Sequence, residues 1–123
     1  MQETRAATVV MGDGLVVVRI RGGVHQTLED AHANIEACKE LSGGRRLPLM
    51  LDLTKAVPLD PPVRHYYSGP VVAEVCSALA IVVEGSPLGR MMGNVYLRVA
   101  NIGVPVRLFD KEPRALAWLT ARR

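Results

Sequence analysis

The sequence predicts an α/β fold: a single domain with a mixed, mostly parallel sheet, in the order β-β-α-β-α-β-α-β-α across residues 1–123. Three observations carry this. Two β-rich runs flank Gly12, Asp13 and Gly14, which is a hairpin signal. Later runs, Leu47 to Leu53 and Ala78 to Val83, are apolar at nearly every position, as in strands covered on both faces. Between and after these runs the apolar period turns helical, and alternating strands and helices favour parallel pairing through right-handed crossovers.

Taken in order, Ala7 to Met11 and Leu15 to Arg21 form an antiparallel pair. In the second strand Val16, Val18 and Ile20 share one face, while Leu15, Val17, Arg19 and Arg21 share the other, which turns polar at its end. Leu28, Ala31, Ile35, Cys38 and Leu41 recur at helical spacing. Thr27 with Asp30 resembles a capping box, and Ser42, Gly43 and Gly44 end the helix. Pro48 belongs at the start of the next strand, since it cannot donate to an interior ladder. Asp60 begins a second helix with Pro61 or Pro62 in its first turn. After Gly85, Ser86 and Pro87, the residues Leu88, Met91, Met92, Val95, Tyr96 and Val99 mark a third helix. Val104 to Phe109 is a short strand, and Glu112 to Ala121 a last helix with Leu116, Trp118 and Leu119 as its apolar side.

Composition excludes several functions. At 123 residues and 49% hydrophobic content the chain closes one ordinary core and leaves no room for a second domain. The net charge is +3, its arginines are scattered, and the few aromatics form no stripe among them, so no nucleic-acid partner is expected. Cys38 and Cys76 match no metal or redox spacing and read as buried free thiols. The first residues lack the pattern of a signal peptide. No apolar run approaches the roughly 20 residues of a membrane helix. A cytoplasmic protein without membrane insertion is the expectation.

The segment "LPLMLDLTKAVPLDPPVR" and the order of elements resemble the STAS superfamily, the SpoIIAA-like sulphate-transporter and anti-sigma-factor-antagonist domains. There a strand runs into Asp-Leu-Ser or Asp-Leu-Thr, and a turn similar to Ile-Asp-Ser-Ser-Gly starts the next helix. Asp52, Leu53 and Thr54 resemble the first part, and Leu59 and Asp60 the beginning of the second. Pro61 and Pro62 then stand where the resemblance implies the serine phosphorylated by a partner kinase. Proline has no hydroxyl, so that switch is not carried over. "GGRRLP", "GSPLGR" and "ALAWL" are similar to bacterial STAS-like proteins without assigned function. A remoter likeness of architecture is to CRAL-TRIO lipid-binding domains.

No catalytic constellation is legible. Asp60 reads as an N-cap, with the loop Thr54 to Asp60, Arg64 and His65 as a partner-binding surface. Asp52 sits at the carboxyl end of a central strand, the edge where open α/β sheets bind ligands, and reads first as a hydrogen-bonded anchor of the loop. Magnesium there lacks a second clustered acid. Ser86 repeats the pattern of a cap before proline, and its helix start, with Arg90, offers an anion site. His25, His32 and His65 do not share a metal-ligand spacing, and no metal or cofactor is expected. The leading expectation is a non-enzymatic regulatory or scaffolding interaction domain with an unnamed protein partner. The alternative is a module binding an anion or lipid-like ligand at the carboxyl edge of the sheet. A homodimer is expected to bury any apolar sheet face left bare around Leu15, Val17, Met50 and residues 78–83.

Overall fold

The computed structural model describes residues 1–85, 91 and 102–123. Its six-stranded sheet runs in chain order: β1 (Gln2–Glu3), β2 (Ala7–Gly12), β3 (Leu15–Ile20), β4 (Leu47–Asp52), β5 (Cys76–Val82) and β6 (Val106–Phe109). The first three strands pair antiparallel, and β3 to β6 pair parallel. The helices are α1 (Leu28–Ser42), α2 (Pro61–Ser68), α3 (Val71–Val75) and α4 (Glu112–Thr120). None of these is long and apolar enough to cross a membrane.

The hairpin closes as its sequence requires. Gly12 faces Leu15 across a two-residue turn in which Asp13 and Gly14 both take positive φ, 54° and 74°. That is the mirror-image turn whose twist matches paired strands, and aspartate and glycine are residues that tolerate it. Pro48 stands where the ladder between β4 and β5 shifts register, so its missing donor interrupts no regular pairing.

Alternation divides the core in two. On one face Val16, Val18, Leu49, Leu79 and Ile81 pack beneath α1 and α3. On the other Leu15, Met50, Ala78, Ala80 and Val82 pack beneath Ala115 and Leu119 of α4. The face expected to stay bare is therefore covered over β4 and β5: Met50 and Ala80 are fully buried, and Leu15 nearly so. The expected homodimer loses the surface it was to bury. Val10, on the outer part of this face opposite Val17, stays exposed.

Three further differences are seen. The strand β1 went unpredicted because two residues carry no period. The helix α3, which follows Gly69 and Pro70, is an element for which the sequence reading assigned nothing. Leu28, placed on the buried stripe of α1, is exposed in its first turn, while Asn34 and Ala37 are buried instead. Of the third predicted helix, all but Met91 lies outside the described residues.

The first turn of α1 is held by a closed set of polar bonds. Thr27 Oγ1 accepts from Asp30 N at 3.1 Å, and Asp30 Oδ2 accepts from Thr27 N at 2.9 Å. Arg5 then donates to the same carboxylate, with Nε 2.9 Å from Oδ1 and Nη2 on Oδ2. The Arg5 bond, joined by that from Thr27, holds the Asp30 carboxyl down at about 2 against an ordinary value of 3.8. A depressed folded-state pKa stabilises the fold fully above the ordinary value, and the effect is lost as pH falls through the folded one. Asp30→Asn should cost about 1 kcal/mol or more at pH 7, the scale of a lost cap. Urea unfolding between pH 4 and pH 2 should show the native chain losing stability more steeply than the variant; parallel slopes would remove Asp30 from this role.

Candidate functional site

The end of β4 sends its residues to opposite faces, and with them two separate sites. Asp52 lies on the α4 face. Its Oδ1 accepts from Thr54 N at 2.9 Å, which turns the chain out of the strand, and Oδ2 accepts from Arg19 Nη1 at 2.9 Å. Arg19 also meets Glu112 Oε1 at 2.6 Å, at the start of α4. Thr54 Oγ1 accepts from Glu84 N at 3.0 Å, and Glu84 Oε1 accepts from Glu112 N at 2.9 Å. With Arg21 and Lys55 these groups line a polar cleft of about 360 Å³ at the carboxyl edge of the sheet. Asp52 is thus the anchor of its loop, as expected, and its charge is already matched. No group of three or more His, Cys, Asp or Glu side chains able to hold a metal occurs among the described residues.

The second site lies under the other face and is a cavity of about 310 Å³. Its floor is the sheet, at Val18, Leu49, Leu51 and Leu79; α1 and α3 supply walls through Ile35, Cys38, Val72 and Val75. The loop Leu53 to Leu59 closes one side, and Met91 and Arg64 also border it. This loop is stiffened by Pro58 and ends in the two prolines of α2, so it spans the gap instead of collapsing into it. The walls are almost wholly apolar.

Besides Arg64, three polar side chains interrupt them. Asn34 Nδ2 donates to Tyr67 Oη at 3.1 Å, Tyr67 Oη donates to Gln26 Oε1 at 2.8 Å, and Thr4 Oγ1 donates to Asn34 Oδ1 at 2.6 Å. Gln26 and Asn34 are 5% and 4% exposed. Buried polar groups must be bonded, and this chain of bonds satisfies them. Burial pushes the Tyr67 hydroxyl well above its ordinary range, so it stays neutral and able to donate. Gln26 borders the cavity, and its side-chain bonds to Tyr67 and Asn34 both end on Oε1.

The remaining candidates separate. Asp60 occupies the N-cap position of α2 but makes no capping bond; its Oδ2 meets His25 Nε2 at 2.8 Å instead. Pro61 and Pro62 remove the amide donors of the first two helical positions, so only Val63 N remains in reach of a capping side chain. Arg64 is exposed, donates from Nη1 to Leu59 O at 3.3 Å, and meets no carboxylate among the described residues. His65 is exposed beside it. Ser86 and Arg90 lie outside the described residues. His32 is a surface residue, as expected, with its ring edge-on to Tyr66. Sequence reasoning missed Gln26, Asn34, Tyr67, Arg19 and Glu112. Asn34 alone carried a signal, a polar residue three positions after Ala31 on the apolar stripe of α1.

Two measurements check this geometry. Because Asp52 and Glu112 share Arg19 at a partly exposed position, Asp52→Asn and Glu112→Gln should each cost about 0.5 to 1 kcal/mol. The double variant should exceed their sum by about 0.5 kcal/mol or more in chemical unfolding, and strict additivity would mean that the pair is not coupled through Arg19. Cys38 and Cys76 are buried and free, and burial pushes their thiols up to about 11 and about 12. A charged disulfide reagent at pH 8 should label neither until denaturant is added.

A family model described as "Domain of unknown function (DUF7793)" matches residues 9–123. No curated protein matches the chain. Among solved structures, it is similar to an uncharacterized protein of the DUF3478 family with a SpoIIAA-like fold, from Shewanella loihica PV-4. Identity is 17%, the TM-score is 0.64, and the alignment covers 97% of this chain and 98% of that one. This likeness shows a SpoIIAA-like fold, which is the fold the STAS resemblance implies.

Proposed function

The chain belongs to the DUF7793 family, and for this SpoIIAA-like member we propose a non-enzymatic role: binding a small, mainly apolar ligand between the sheet and α1 to α3. The observation that carries the reading is the cavity of about 310 Å³, which falls within the range of small-molecule sites. Apolar walls retain water poorly, whereas an apolar guest restores the missing contacts. Asp52 and Glu112 are both paired with Arg19, which favours a structural role for this part of the polar cleft.

A second reading is supported by the exposed run at the start of α2, where Pro61, Pro62, Arg64 and His65 all face solvent. A protein partner docking there would make this a regulatory or scaffolding surface that is not switched by phosphorylation, since no hydroxyl occupies its first turn. Recovery of such a partner should fall with Arg64→Glu in an affinity pull-down from the native cell.

For the cavity, native mass spectrometry should show a retained or added apolar compound bound one to one. At a ligand concentration one hundred times Kd, unfolding should be harder by about 2.7 kcal/mol. Val72→Phe projects a ring into the space and should abolish binding while keeping the fold, its usual overpacking cost of about 1 to 3 kcal/mol offset by the filled void. A clean apo mass, with no stabilisation across a panel of small apolar compounds, would overturn the proposal.

A further inference from the structure

We infer that the cavity takes an amphiphile with a carboxylate at one end, a medium-chain carboxylic acid or its chemical equivalent, with Arg64 as the residue that selects the charge. The inference rests on the cavity reading and adds to it the nature of the ligand's head. Two independent observations point to it. Arg64 borders the cavity, is exposed, and has no carboxylate among the described residues, although its neighbour Asp60 is engaged with His25. A guanidinium is always charged and presents a fork of donors that fits a carboxylate. One of its nitrogens is held by Leu59 O at 3.3 Å, which fixes the side chain against the cavity wall and leaves other donors open.

The second observation is inside. Gln26 is 95% buried, since its exposure is 5%, and its carbonyl oxygen is committed to Tyr67 and Asn34. Neither bond uses the amide nitrogen, so among the described lining residues the donors not already taken up belong to a cation, Arg64, and a neutral amide, Gln26. Both require an acceptor. An apolar tail with an acid head meets that demand; a hydrocarbon leaves both donors unanswered, and a cation would be repelled by Arg64. At a liquid share of about 30 Å³ per water-sized atom, the volume admits a guest of about ten non-hydrogen atoms, which is the size of octanoate.

The test compares octanoate, octan-1-ol and octylamine by isothermal titration calorimetry on the full chain, at low and high salt. Octanoate should bind one to one, at least about tenfold more tightly than the alcohol, and its advantage should shrink with added salt. Arg64→Gln should remove that advantage without changing octan-1-ol affinity, and Arg64→Lys should restore part of it. Arg64 is a surface residue, so these variants should keep the native unfolding midpoint to within a few degrees. If acid and alcohol bind equally and Arg64→Gln alters neither, the cavity reading stands and the acid-selecting role of Arg64 is overturned. If none of the three binds, both the cavity reading and this inference fail. Preferential binding of octylamine would overturn the inference alone.

Discussion

The structure depends on β4, which has to pair along both edges and bury both faces. It lies parallel to β3 on one side and β5 on the other, and Leu49 and Met50 are buried beneath different helices. A strand so enclosed cannot exchange a residue between faces without moving apolar groups into the wrong layer, because side-chain direction alternates with a period of two. That alternation fixes which layer each later residue serves. It sends Asp52 to the α4 face and leaves the loop that follows to cross the other one.

From this division come two sites of opposite character. The polar cleft closes on itself through Arg19, Asp52 and Glu112, and ties the ends of β3, β4 and α4 at one point. The cavity lies between the sheet, α1, α3 and the proline-bearing loop from Leu53 to Leu59. Its few polar groups are arranged as one network from Thr4 through Asn34 and Tyr67 to Gln26, so ordering any of them orders the others. Such a network gives an apolar pocket a fixed wall without filling it.

The start of α2 is an exposed turn without a hydroxyl. In the STAS domains it resembles, a hydroxyl at this turn receives phosphate; here two prolines form the turn and Asp60 reaches across to His25. The bond links the segment before α1 to the loop lining the cavity, since Gln26 follows His25 and Leu59 precedes Asp60.

The sequence by itself determined the elements whose signals are local. Alternation in Val16, Val18 and Ile20 assigns a face, the Gly12 to Gly14 turn fixes the hairpin register, and Thr27 with Asp30 caps α1, because each depends on residues within a few positions of one another. The STAS resemblance in residues 47–64 supplied the fold. Only the tertiary structure decided which faces were covered, because α4 reaches β4 from about sixty residues along the chain and β5 from about thirty. It alone separated Asp52 from Arg64, turned Asp60 toward His25, and gathered Gln26, Asn34 and Tyr67 at one wall. A void has no sequence signal, since it arises from where side chains do not meet, and the cavity became legible only once the helices had been set on the sheet.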